Sequence, residues 1–132
     1  MRIQKGFSLV PALFLIIVLA GLGAAAVRIS VVQQQTVVLG MQSARAFSAA
    51  RSGLEWAAYD ALNNGSCGSG SLSYSEGGLA GFSVNTTCSS TSHTEGALTV
   101  NVYTINAFAW SGAYGQPDYV SRRISMTVTD AS

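Results

Sequence analysis

The sequence predicts an α+β protein: a long N-terminal helix, membrane-spanning in its first half, packed on a small antiparallel β-sheet. Three observations carry this. Residues 7–27, FSLVPALFLIIVLAGLGAAAV, hold no charge over 21 positions. From Arg28 to Leu62 there is no proline, and only Gly40 and Gly53 interrupt a helix-friendly sequence. After Asn63 the composition turns Gly/Ser-rich, and period-two alternation replaces the helical period.

At about 1.5 Å per residue, the uncharged stretch covers roughly 30 Å, the hydrocarbon thickness of a bilayer. A domain built from 132 residues could hardly surround so long an apolar rod, so a buried core helix is disfavoured. Arg2 and Lys5 precede it, so the positive-inside rule places the N-terminus in the cytoplasm and the rest outside. An ordinary cleaved secretory signal is the rival reading, with Ala24–Ala25–Ala26 as its cleavage site. Against it, the helical pattern does not stop at Ala26. Phe47, Ala50, Leu54, Ala57 and Ala61 recur at steps of three and four, an expected stripe for a core face. Asn63–Asn64–Gly65 supplies the stop.

Residues 63–77 read as a loop. Strands are expected at Gly81–Cys88, about Ala97–Trp110, and Val120–Thr129. In the last, Val120, Ile124, Met126 and Val128 share one face with Arg122, which places the strand's beginning at the domain edge. In the middle strand, Leu98, Val100 and Val102 hold one phase, and Tyr103, Ile105 and Ala107 the other. That shift predicts a bulge or bend near Tyr103. Ser111–Gly112 and Gly115–Gln116–Pro117–Asp118 supply the turn before the last strand.

Only 10% of residues are charged. From Glu55 onward there are six acids against Arg122 and Arg123, a local charge of −4. Such a surface repels a phosphate backbone, so no nucleic-acid partner is expected. Cys67 and Cys88 have no CxxC spacing, and His93 is the one histidine, so no metal site is expected. In an exported domain the two cysteines read as one disulfide. Its loop of about 22 residues would stabilise the fold by roughly 3 kcal/mol in the chain-entropy model. In a reducing cytosol they would be two small apolar residues.

No catalytic residues or cofactors are expected, and the chain reads as a non-enzyme. His93, Thr94 and Glu95, with Ser90 and Ser92 nearby, read as a solvated turn, because adjacent residues seldom converge on one point. Arg122–Arg123 could meet a partner's acid, but edge-strand arginines more often guard against aggregation. Trp56 is expected in the core, with Trp110 and Tyr114 left open.

Lys5–Gly6–Phe7–Ser8–Leu9–Val10 resembles the leader junction of type IV prepilins: a basic residue, a glycine, then Phe and an apolar helix. The likeness continues through Ala44–Arg45–Ala46, Ala49–Ala50–Arg51–Ser52–Gly53–Leu54–Glu55–Trp56 and Asn64–Gly65–Ser66–Cys67. It extends to Gly81–Phe82–Ser83–Val84, Cys88–Ser89, Ser92–His93–Thr94–Glu95–Gly96, Asn101–Val102–Tyr103 and Tyr119–Val120–Ser121–Arg122–Arg123. These segments resemble the MshP family of minor pilin-like proteins, from the biogenesis cluster of the mannose-sensitive haemagglutinin (MSHA) pilus.

The resemblance implies a leader at 1–6 and a transmembrane half-helix at 7–27. A periplasmic half-helix at 28–62 and a loop-and-sheet domain at 63–132 complete the expected organisation. It implies cleavage after Gly6 by prepilin peptidase, N-methylation of Phe7, and partners among major and minor pilins through the helix. The expected location is the inner membrane, single-pass with the C-terminal domain periplasmic, and then the pilus. The expected role is a subunit at the tip of the filament or priming its assembly. A tip-located adhesive module and a type II secretion pseudopilin are the alternatives. One position departs from the pilin pattern. Most pilins carry Glu at the fifth mature position, and with Phe7 as first that position here is Pro11. Pseudopilins lacking this Glu resemble tip subunits as a family.

Overall fold

The structure, a computed structural model, describes residues 9–130. It shows the α+β arrangement: one long apolar helix, α1 (Leu9–Asn64), and a four-stranded antiparallel sheet. The strands are β1 (Gly70–Ser73), β2 (Ser83–Glu95), β3 (Leu98–Ser111) and β4 (Val120–Thr129), in spatial order β1-β2-β3-β4. The chain divides into two units, one through Val38 and one from Leu39 onward.

In the second unit α1 buries an almost side-chain-free face. Ala46, Ala49, Ala50, Gly53, Leu54, Ala57, Ala58 and Ala61 are buried. They meet Phe82, Val84, Tyr103, Ile105, Ala107 and Ala109 from the sheet side. Small residues let the helix backbone come close to the strands, and Gly53 is the tightest point. A Cβ there would stand 2.6 Å from Val84 Cγ1. Phe47 departs from the expected stripe and is 48% exposed. Ala46 and Ala49, both fully buried, take the positions that face the sheet there instead.

The stretch 63–77, expected as a loop, contains β1. Its sequence GSLS carries too short a pattern to announce a strand. It forms because Gly70–Ser73 pairs with Ser83–Thr86, and Leu72 packs against the core. The buried Thr86 hydroxyl lies 3.2 Å from both the N–H and the carbonyl of Gly70, satisfying its polar atom in place. Trp56, expected in the core, is 46% exposed. Its ring lies over Gly70, where any Cβ would come within 2.6 Å of it.

β2 also runs beyond Cys88 to Glu95, and a two-residue turn at Gly96–Ala97 leads into β3. Gly96 has φ +65, as the first turn position of a type II′ hairpin requires. The bulge expected near Tyr103 is absent. The β2–β3 register is unbroken from Glu95↔Leu98 to Ser83↔Trp110, and β3–β4 from Val102↔Thr129 to Ser111↔Val120. The phase shift has another origin: Tyr103, Ile105, Ala107 and Ala109 face the helix, whereas Leu98, Val100 and Val102 lie on the opposite face. The core under α1 reaches only as far along β3 as Tyr103.

Two arginines tie peripheral segments to α1. Arg45 Nε donates to Gly78 O at 2.6 Å, and its guanidinium carbon stands 5.4 Å from the Phe82 ring centre. The Tyr74 and Ser52 hydroxyls share a hydrogen bond at the start of the same connection. Arg122 lies in register with Ala109 on the helix-facing side, and donates from Nε and Nη2 to Ser43 Oγ at 3.0 and 2.5 Å. Its place in the apolar phase is thereby explained: it reaches α1 across the edge of the sheet.

Candidate functional site

Two features carry functional content: the apolar segment of α1 in the first unit, and the surface of the sheet domain in the second. In the first unit, Leu9, Phe14, Ile17, Leu19 and Leu22 are all exposed. The most apolar 18-residue stretch of α1 is wholly unburied, and the helix is long and apolar enough to cross a membrane. Water would not tolerate so many large apolar side chains in one strip, whereas hydrocarbon or apposed apolar helices would. Beyond the first turn, helical hydrogen bonding within the segment satisfies the backbone internally, as a bilayer demands.

Pro11 is helical and exposed, in the first turn of the described helix. Its missing N–H is tolerable there, because first-turn N–H groups have no intrahelical acceptor. Gly6 and Phe7, the predicted cleavage and methylation positions, lie outside the described residues, as do Arg2 and Lys5. Beyond Arg28 the helix mixes Ser30, Gln33, Gln34 and Thr36 with exposed Val31, Val32, Val37 and Val38. Thr36 returns its hydroxyl to the Val32 carbonyl at 2.9 Å, so it adds little polarity to the surface.

In the second unit Cys67 and Cys88 are joined in a disulfide, with Cα atoms 5.1 Å apart. It ties the segment after α1 to the helix-facing side of β2, next to the core. His93, Thr94 and Glu95 do not form the expected turn. They occupy the exposed end of β2, where successive side chains point to opposite faces. Ser92 is engaged elsewhere, its hydroxyl donating to Asn101 Oδ1 at 2.6 Å. No nucleophile–base–acid set is brought together there. Among the described residues no group of three His, Cys, Asp or Glu side chains is placed to hold a metal.

Asp130, just beyond β4, accepts from the Asn101 side-chain amide and the Asn101 N–H, each at 2.7 Å. These hydrogen bonds, the side-chain one first, hold its carboxyl below the ordinary carboxylate range. The arrangement fastens the last residues of β4 to β3.

No family model matches the chain, and no curated protein or solved structure does. The reading of function therefore rests on the residues and their placement.

The sheet face turned away from α1 has its own pattern. Cross-strand register sets Asn85, Phe108 and Arg123 in one row, and Thr87, Asn106 and Ser125 in the next. Phe108 and Trp110 stack with centroids 5.5 Å apart and planes at 20°, and the Arg123 guanidinium sits 5.2 Å from the Phe108 centroid. At the β3–β4 turn Tyr114 is 89% exposed and meets Tyr119 edge-on. The sequence leaves Trp110 open, and no local motif singles out Ser43, Asn106 or Phe108. The strict alternation of Asn106, Phe108 and Trp110 along β3 was the available signal, obscured by the expected bulge.

Proposed function

We propose that the chain is a minor pilin-type subunit that anchors in the inner membrane by its N-terminal helix and then joins or primes a type IV filament of the MSHA kind. The observation that carries this reading is the division of labour along α1. Its first part offers an uncovered apolar surface, and its later part is packed on the sheet through alanines and a glycine. A secretory signal has no reason to lead into a helix that a mature domain needs for its core.

In this reading prepilin peptidase cuts after Gly6 and Phe7 becomes the methylated N-terminus. The domain stands in the periplasm, and the apolar half of α1 passes from lipid to the filament interior among other pilins. Both settings are apolar, so the transfer changes little in hydrophobic free energy and packing decides it. Pro11 replaces the carboxylate that most pilins offer to a neighbour's N-terminal ammonium. An unpaired charge buried in such an interior costs several kcal/mol, so a subunit without the Glu fits where no subunit lies above it to supply an ammonium. A place at the tip or in an initiating complex follows.

Mass analysis of the mature N-terminus tests the reading. A chain beginning at N-methylated Phe7 is expected, whereas a chain beginning at Val27 refutes it in favour of an ordinary secretory signal. Position is tested by a tag on the domain: labelling at filament ends is expected, and even labelling along the shaft removes the tip assignment. Pro11→Glu is then expected to permit shaft labelling. Deletion of the gene is expected to abolish filaments, whereas an adhesin's loss would leave filaments that no longer adhere.

A further inference from the structure

We propose that the sheet face opposite α1 carries a saccharide-binding site for acidic glycans, centred on Asn85, Asn106, Phe108 and Arg123. The inference stands on this face alone and is independent of how the subunit assembles.

Asn85, Thr87, Asn106, Phe108 and Arg123 line one depression of about 440 Å³, within the range of small-ligand sites. Their positions are set by two adjacent rows of the strand register, so the side chains project together from a rigid sheet. The polar groups are unused. Elsewhere Asn63, Asn64, Ser92 and Asn101 are engaged in side-chain hydrogen bonds. Among the described residues Asn85, Thr87 and Asn106 have no such partner, and Arg123 has neither hydrogen bond nor salt bridge. Arg122 beside it is occupied by Ser43, so Arg123 is the free cation of β4 among the described residues.

The mixture selects the ligand. Amides and a threonine hydroxyl both donate and accept, so their best partners are groups that do the same, as sugar hydroxyls do. A phosphate or sulfate only accepts and would engage the amide N–H groups alone, leaving their exposed carbonyls to water. Phe108, half-buried and flanked by Trp110 and by the Arg123 guanidinium, offers its remaining ring edge to the C–H groups of a pyranose. The guanidinium fork matches a carboxylate, and the ring beneath it holds it in place. The rows from Trp110 to Val102 on this face hold no acid, whereas the domain as a whole is acidic, so a carboxylate would find its attraction here. A hexuronate-containing glycan supplies hydroxyls, an apolar ring side and a carboxylate together.

The test uses the full chain in detergent micelles, titrated with tetragalacturonate, with cellotetraose and with polyglutamate. Saturation-transfer NMR and calorimetry provide the readouts. Tetragalacturonate is expected to bind with ring protons saturated, and Arg123→Gln to weaken it by about tenfold, the usual cost of losing a charged hydrogen-bonding partner. Arg122→Gln is expected to leave the affinity unchanged. Asn106→Ala, which keeps the charge, is expected to weaken tetragalacturonate and cellotetraose alike. It decides the matter should circular dichroism show Arg123→Gln misfolded. Equal binding of polyglutamate, absence of ring-proton saturation, or equal effects of Arg122→Gln and Arg123→Gln would each overturn the proposal.

Discussion

Replacing Gly53 by alanine is expected to destabilise the sheet domain, against the ordinary rule that Gly→Ala strengthens a helix. In a helix interior the exchange gains about 1 kcal/mol from propensity and lost unfolded-state freedom. At residue 53 the new methyl would stand 2.6 Å from Val84 Cγ1, 3.3 Å from Thr86 Cγ2 and 3.7 Å from Ala107 Cβ. Val84 is fully buried and β-branched, so its methyl has no open space to enter. Overpacking of this kind costs about 1–3 kcal/mol, and relief requires α1 to lift from the sheet along its alanine face. The net expectation is about 1 kcal/mol of destabilisation, or roughly 5 °C in Tm for a domain of this size. Gly40 provides the internal control. It lies in the same helix, and a methyl added there would meet nothing within 4 Å, so Gly40→Ala is expected to be neutral or stabilising. Thermal unfolding of both full-length variants in detergent, followed by circular dichroism, measures the difference. If Gly53→Ala melts at or above the temperature of the unaltered protein, the close helix–sheet approach is not a constraint on stability and the reasoning fails.

Two further outcomes are expected. Cys67→Ser with Cys88→Ser removes the cross-link, and urea unfolding of the double variant is expected to show a loss of about 3 kcal/mol with the β-sheet signal retained in water. Asp130 has a folded-state pKa below its unfolded one. Its contribution is therefore present above the ordinary carboxylate range and lost as pH falls through the lowered folded value. Acidification should shift and deprotect the Asn101 amide first among β3 residues, and Asp130→Asn should remove that pH dependence in an NMR titration.

Several parts of this protein were legible because they depend on local pattern. The uncharged run at 7–27 needs no tertiary information to read as a bilayer-length helix. Alternation in Val120–Thr129 reported a half-buried strand for the same reason, and Asn64–Gly65 marked the end of α1 where the structure has it. The failures share a different cause. β1 is a strand by virtue of its pairing with β2, since GSLS has no strand pattern of its own. Spacing predicts Phe47 in the core and its place on the helix predicts Trp56 there, but apart from Leu54 the face that meets the sheet is alanine and glycine.

By itself, then, the sequence determined the bilayer-length apolar run, the end of the long helix, the α+β class and the pairing partners available to its two cysteines. Those are properties of composition and period, set by the chain's chemistry residue by residue. The tertiary structure decided which helix face is buried, how far β2 extends, and what lies opposite Arg123 on the outer sheet face. Each of these depends on register between segments far apart in the chain. A shift of one residue would send every side chain of a strand to the other face, and local pattern cannot choose between the two registers where both faces carry apolar residues, as on β3.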